Sequence, residues 1–224
     1  AIGPLATSEP RILVTTQDGS ELETHDPVAG THVDYPLGGN VTGTLLGNVA
    51  LEGAIANDVL VLMLDTAQVV AVHGETGATT THPAGTAPVA LRAGDCSGNG
   101  SDDWAVLSAT GHITVFTNDG AGTMTAHTAV PSPVAAPSDW LLSDVSQDGR
   151  ADLITLDATG NTVWVHSFNA SFNTLDTLAS AALPCSPAQV WATDHDQDGH
   201  PDMVVRCADA GPFLWVRLEG SALT

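Results

Sequence analysis

The chain has no lysine. Its five basic side chains are all arginine, at positions 11, 92, 150, 206 and 217, against 26 acids, and the formal net charge is −21. Such a field repels nucleic acid and anionic membrane, and favours cations or partners with a basic or neutral polar surface. Long apolar runs are missing as well. The longest aliphatic stretch, Val59-Leu-Val-Leu-Met-Leu64, is far too short to cross a bilayer, so membrane insertion is not expected. The opening Ala-Ile-Gly-Pro has neither the basic region nor the apolar core of a targeting peptide and reads as part of a mature, soluble protein. Cysteine is scarce: three residues permit one internal bridge at most. Cys185 and Cys207 flank an acidic loop on what reads as one hairpin, where a disulfide and a pair of buried thiols both fit. Cys96 has no evident partner, and the carboxylates around it would raise its pKa, which argues against a catalytic thiol. Helix signals are almost absent, and there is neither a Gly-rich phosphate loop nor a Ser/His/Asp nucleophile pattern.

What is there is an Asp-rich nonapeptide written three times. The copies are Asp95-Cys-Ser-Gly-Asn-Gly-Ser-Asp-Asp103, Asp144-Val-Ser-Gln-Asp-Gly-Arg-Ala-Asp152 and Asp194-His-Asp-Gln-Asp-Gly-His-Pro-Asp202, spaced 49 and then 50 residues apart. Ten of the 26 acids lie in them. Each is followed by an aliphatic run (Trp104-Ala-Val-Leu107, Leu153-Ile-Thr-Leu156, Met203-Val-Val205), a turn, and a second run carrying an aromatic (Ile113-Thr-Val-Phe116, Thr162-Val-Trp-Val165, Phe213-Leu-Trp-Val216). Thr110-Gly111, Thr159-Gly160-Asn161 and Ala210-Gly211 supply hairpin turns. Two upstream segments share the layout without the full loop: Ile12-Leu-Val14, and Val59-Leu-Val-Leu62 with Val69-Val-Ala-Val72. Anchors near 11, 58, 103, 152 and 202 divide residues 1–224 into five units of about 45–50 residues, the length of a four-stranded blade. The expectation is an all-β, single-domain β-propeller of about five four-stranded blades, with part of a seven-bladed ring as the alternative. Closure is open: residues 2–7 fit either the missing outer strand of the last blade or the inner strand of the first.

Alternate oxygen donors around a tight glycine turn suit a hard dication. In the third copy the expected ligands are Asp194, Asp196, Asp198, the His200 carbonyl and Asp202. In the second they are Asp144, Ser146, Asp148, the Arg150 carbonyl and Asp152, and in the first Asp95, Ser97, Asn99, the Ser101 carbonyl and Asp103. This density of oxygen points to Ca²⁺, about three ions in all. Side-chain charge falls from four carboxylates to three to two, so affinity is expected to fall in that order. A helix–loop–helix site is excluded, because the twelfth positions are Val106, Thr155 and Val205, inside β-type runs. The pattern resembles the FG-GAP/VCBS repeat, well over residues 95–224 and in outline over 11–94. That resemblance implies a calcium-binding loop between the first two strands of each blade, at the residues just named, and secretion or display at the cell surface. The Phe-Gly and Gly-Ala-Pro elements of the repeat are absent here, and the family most often has seven blades.

For function, the leading expectation is a calcium-stabilised extracellular binding or adhesion module with a protein or glycan ligand, not an enzyme. Trp104, Trp140, Trp164, Trp191 and Trp215 fit packing between blades, or stacking on sugar rings in a lectin with repeated pockets. A five-bladed glycoside hydrolase is the enzymatic alternative, but Asp26, Asp34, Asp65, Asp139, Asp157 and Asp176 share no register that would converge them. A repeat scaffold without a small ligand is the fourth reading.

Overall fold

The computed structural model describes residues 12–15, 21–26, 31–37, 41–47, 58–72, 78–208, 211, 213–219 and 222–223, and every regular element among them is a strand. The first antiparallel sheet contains β1 (Ile12–Thr15), β2 (Glu21–Asp26) and β3 (Thr31–Pro36). The second contains β4 (Val41–Gly47), β5 (Asp58–Met63), β6 (Gln68–Val72) and β7 (Thr79–Pro83). The third has β8 (Pro88–Gly94), β9 (Asp103–Ser108), β10 (His112–Asn118) and β11 (Met124–Ala126), and the short β12 (Val130–Pro131) also pairs with β10. The fourth has β13 (Asp139–Ser143), β14 (Asp152–Asp157), β15 (Thr162–Phe168) and β16 (Leu175–Ala182), and the fifth β17 (Pro187–Thr193), β18 (Asp202–Cys207) and β19 (Phe213–Val216). A ribbon of β20 (Leu218–Glu219) and β21 (Ala222–Leu223) follows.

Within each sheet the strands run in chain order, as hairpin turns dictate. The anchors at 58, 103, 152 and 202 begin β5, β9, β14 and β18, and the one at 11 directly precedes β1. Four strands per unit holds for the second and fourth sheets. The third adds β12, and the first and fifth have three strands among the described residues. The proposed closing segment 2–7 lies outside the described residues.

Strand alternation explains the stacking. On β9, Trp104 and Val106 pack on Leu60, Leu62, Val69 and Ala71 of the second sheet. The intervening Ala105 and Leu107 pack on Trp140 and Leu153 of the fourth. On β14, Leu153 therefore faces the third sheet, while Ile154 and Leu156 meet Val190, Met203, Val205 and Val216 of the fifth. Tyr35 of β3 packs with Val59, Val61 and Met63 of the second sheet. The sheets thus lie face to face in chain order. Each central strand gives alternate residues to the preceding and the following layer. This is the layered arrangement of a propeller, with its hydrophobic cores between the sheets.

Among the described residues the stack ends on the fifth sheet. Val204 and Arg206 of β18 stand where Ile154 and Leu156 stand on β14, and β19 sets Trp215 beside Val204 and Phe213 beside Arg206. Trp191 of β17 adjoins Val204 on the other side. Trp191 is 43%, Phe213 63% and Trp215 48% exposed, whereas Val163 and Val165, the counterparts of Phe213 and Trp215 on β15, are fully buried. The outward face of the fifth sheet is an aromatic layer on which no other described sheet packs.

Polar links tie the leading strands of successive sheets. Arg92 on β8 donates from Nε to the Trp140 carbonyl at 2.8 Å and from a terminal nitrogen to Asp139 Oδ1 at 3.0 Å, both on β13. Its guanidinium also lies 5.2 Å from the Trp140 ring centroid. Asp139 Oδ2 in turn accepts the Val190 N–H of β17 at 3.0 Å. One carboxylate therefore fastens three layers, and an acid that the sequence left unassigned becomes structural. Asp139→Ala is expected to cost about 2 kcal/mol, since hydrogen bonds to charged groups contribute roughly 1.5–3 kcal/mol each and removal leaves a half-buried Arg92 without its carboxylate, held only by carbonyls. Chemical denaturation at neutral pH measures this, with Asp157→Ala, an acid that caps an exposed turn, as the mild control. In the fifth sheet Cys185 and Cys207 are joined in a disulfide with a Cα–Cα separation of 5.8 Å. Closing a loop of this length removes roughly 3 kcal/mol of unfolded-chain entropy in the simple loop model.

Candidate metal centre

All three nonapeptides connect the first strand of a sheet to its second: β8 to β9, β13 to β14 and β17 to β18. They share one hydrogen-bond scheme at the first and fifth positions and differ at the ninth, whose Asp takes the N–H of position three in the first two loops and of position two in the third. The first Asp accepts backbone N–H groups at positions five and six. Asp95 binds those of Asn99 and Gly100 at 3.1 and 2.8 Å. Asp144 binds those of Asp148 and Gly149 at 3.0 and 2.9 Å, and Asp194 those of Asp198 and Gly199 at 3.1 and 3.0 Å. The side chain at position five, Asn99, Asp148 or Asp198, accepts the N–H of position seven at 2.9 Å in every copy. The ninth-position Asp reaches back across the loop. Asp103 takes the Ser97 N–H, Asp152 the Ser146 N–H and Asp202 the His195 N–H.

The turn depends on two left-handed residues per loop. Position six is glycine throughout, with φ of 85°, 86° and 91° at Gly100, Gly149 and Gly199. Position four is also left-handed, at 76° for Gly98 and 63° for both Gln147 and Gln197. Sequence reasoning identified the sixth position and missed the fourth, because a glutamine carries no signal for positive φ.

Among the described residues, a group of three predicted ligand carboxylates comes together in the third loop. In the third, carboxylate oxygens of Asp194, Asp196 and Asp202 lie within 4.8 Å of one another, an acidic cluster that could hold a metal. Asp198 and Asp196 are engaged by Arg217, the latter at 2.5 Å. In the first loop Ser97 Oγ donates to Asp95 Oδ1 at 3.3 Å, drawing Asp95, Ser97, Asn99 and Asp103 into one network with Ser101, whose N–H goes to Asn99. In the second, the Asp148 N–H donates to Asp144 and the Ser146 N–H to Asp152, and its three acids do not form a cluster as close as that of the third loop. The Arg150 side chain leaves its loop and lies along the first one, where a Cβ on Gly98 would meet its Cγ at 3.1 Å. The Ala151 N–H bonds the Asp95 carbonyl at 2.7 Å and joins the two loops directly. The corresponding residue of the third loop is Pro201, which has no N–H to offer. His195 turns away from its loop and sits 5.2 Å from the Trp215 ring.

The electrostatics call for a cation. Asp103 and Asp152 are buried at the loop bases. Burial pushes the Asp152 carboxyl up to about 6, the Ser146 N–H offsetting only part of that, and raises Asp103 in the same sense. Ser146 Oγ, at a predicted ligand position, is buried without a hydrogen-bond partner, as is Ser101 Oγ. Hard oxygen donors, buried acids and an orphaned hydroxyl fit a divalent ion of the calcium type. Cys96 is buried beneath the first loop. Burial raises its thiol pKa strongly, and Asp103 and Asp95 add to the rise, so it is held as an inert thiol.

A second concavity lies between the third and fourth sheets, a cleft of about 370 Å³ lined in part by Pro131, Pro133, Leu175 and Thr177 around the buried His166. Burial depresses the pKa of His166 to about 4, and its Nδ1 pairs with Thr177 Oγ1 at 3.1 Å. Of the five tryptophans, Trp104 and Trp140 are buried between sheets and Trp164 is half-buried. Trp191 and Trp215 lie on the open aromatic layer.

Comparison with known proteins agrees with this geometry. Residues 144–205, spanning the second and third loops, match the model of the FG-GAP-like repeat. No curated protein matches the chain. Among solved structures it is similar to BBS1N in complex with ARL6DN, in a mercury-soaked crystal, at 15% identity and a TM-score of 0.62. That match covers 93% of this chain and 58% of BBS1N. A lead-soaked crystal of the same complex gives 13% identity and a TM-score of 0.61, covering 91% and 60%. A protein of unknown function from Bacteroides caccae matches at 14% identity and a TM-score of 0.51, covering 96% and 72%. The chain thus spans less than two thirds of the BBS1N chains it matches, and the likeness is one of fold: an all-β, propeller-like architecture.

Proposed function

We propose that this chain is a calcium-stabilised β-propeller module of five repeats in one domain, displayed outside the cell and built to bind a protein partner, not to catalyse a reaction. The observation that carries this reading is the shared hydrogen-bond scheme of the three Asp loops. In every copy the first Asp is held by backbone N–H groups of the turn, and one acid, Asp103, Asp152 or Asp202, is buried at the loop's base. Asp95, Ser97, Asn99 and Asp103 would hold one ion, Asp144, Ser146, Asp148 and Asp152 a second, and Asp194, Asp196, Asp198 and Asp202 a third. The carbonyls of Ser101, Arg150 and His200 would add a donor to each. When bound, each ion supplies positive charge that neutralises the acids and pins the first strand of a sheet to its second.

The Cys185–Cys207 disulfide fits an oxidising compartment outside the cytosol. Weakly charged cages of this kind fill at roughly 10⁻⁴–10⁻³ M calcium, an extracellular level. No helix among the described residues is long and apolar enough to cross a membrane. A protein ligand is favoured over a glycan because the similar fold in BBS1N is seen in complex with a protein, ARL6DN. Arrays of extracellular protein domains and of glycans, each probed in 2 mM calcium and again in EDTA (a concentration set at roughly the extracellular range), test the reading. Calcium-dependent signal on protein spots is expected. Signal confined to glycans would replace it with the lectin reading, and signal unaffected by EDTA would remove the metal from the account.

A further inference from the structure

Resting on the calcium reading above, we propose that Arg217 is a built-in counter-ion of the third loop, so that a dication can fill that loop only by displacing a guanidinium from it. Arg217 lies just beyond β19, and its two terminal nitrogens bond separate carboxylates: Asp196 Oδ2 at 2.5 Å and Asp198 Oδ2. These are two of the four acids that would bind the ion, and Asp196 belongs to the trio clustered within 4.8 Å. A planar fork spanning two carboxylates is what guanidinium does well, and it supplies one positive charge where calcium would bring two.

The arrangement is peculiar to this loop. Register identifies the equivalent residue in the other two sheets. Trp104 pairs with Phe116, Leu153 with His166 and Met203 with Val216, and the next residue in each case is Thr117, Ser167 and Arg217. Thr117 and Ser167 are short and uncharged, and Arg150, which lies along the first loop, makes no ion pair with a loop acid among the described residues. The chain has five arginines and no lysine. One of those few cations stands at the loop with the most carboxylates. The third loop also lacks the backbone bond that fixes the second to the first, because Pro201 occupies the place of Ala151. It is exposed along Asp194–His200 and carries fewer ties against rearrangement.

Charge counting alone ranks the third loop as the tightest calcium site. With Arg217 in place the order changes. The predicted ligand acids of the first and second loops have no guanidinium bonded to them among the described residues, and the third must exchange one bonded cation for another. The third loop is then neutralised at low calcium and loaded only at high calcium, while the first two are permanent staples.

Isothermal titration of the EDTA-treated chain with calcium chloride, for the native sequence and for Arg217→Gln, tests this. Arg217→Gln is expected to tighten one site by about tenfold and leave the others unchanged. As a second measure, the Arg217 Nε–H resonance of the native chain should shift in the step that fills the weakest site, which keeps the question open to test even where the variant folds poorly. All sites agreeing within about twofold between the two proteins, or an Arg217 resonance that stays fixed to saturation, would overturn the inference while leaving the calcium reading intact. Absence of calcium binding in both proteins would overturn the two together.

Discussion

Replacing Trp104 with alanine should lower the stability of the chain by about 4 kcal/mol, within the roughly 3–5 kcal/mol range for truncating a buried aromatic. Trp104 is fully buried and is the largest side chain between the second and third sheets. It meets Phe116 at a centroid distance of 5.9 Å and the His82 ring edge-on at 5.2 Å. Its loss leaves a cavity bounded by Leu60, Leu62 and Phe116, side chains anchored on two separate sheets that cannot collapse without moving whole layers. Trp215→Ala removes a ring of the same size from the open face and should cost less than about 1 kcal/mol. Urea unfolding of the two variants makes the comparison. Similar midpoints would mean that the second and third sheets are not held together by this core.

Removing calcium should have an effect of the same order. An ion at ten times its Kd contributes about 1.4 kcal/mol, so two or three filled loops contribute about 3–4 kcal/mol, or roughly 10 °C in Tm for a chain of this size. The calcium increment should itself depend on pH. In the metal-free protein the folded pKa of Asp152, about 6, lies above its unfolded value of 3.8. A raised folded pKa means that the native state binds the proton more tightly. Its stabilising effect is fully present below pH 3.8 and is lost as pH rises through 6. Asp103 acts in the same direction. His166 acts in the opposite one. Its folded pKa, near 4, lies below the ordinary 6.5, so stability is lost as pH falls from 6.5 towards 4. The two trends oppose each other in the apoprotein. His166 lies outside the loops, so its contribution cancels in the difference between calcium and EDTA. That difference in Tm should shrink steadily from pH 7 to pH 5, as protons compete with the ion at Asp152 and Asp103. Scanning calorimetry in both buffers measures it, and a gap that is constant across this range would show that these carboxylates do not hold the ion.

The loops were legible because their oxygen-bearing residues recur at fixed offsets around a glycine, and those offsets survive as literal spelling in the chain. The strands that follow were legible for a related reason: the layer before and the layer after each demand every second residue, so Trp104, Leu153 and Met203 face one way and Ala105, Ile154 and Val204 the other. Features that depend on residues distant in sequence were not readable. Arg217 lies 15 residues beyond Asp202, and only strand register reveals that it occupies the place of Thr117 and Ser167. Asp139 seemed a stray acid until β8, β13 and β17 were laid side by side. The left-handed Gln147 and Gln197 carry no mark in composition, since the loop's own hydrogen bonds, not the side chain, hold them there. Cys185 and Cys207 left two outcomes open, and the Cα separation decides for the bridge.

The exposed rings of Trp191, Phe213 and Trp215 also bear on how copies of the chain meet in solution. Contact between two such surfaces strengthens on warming, because water gives up apolar area more readily as temperature rises. The charge of −21 holds copies apart, but its reach contracts to about 8 Å at physiological ionic strength. Association of copies through this face is therefore expected to be weakest in cold, dilute, low-salt buffer and strongest in warm saline.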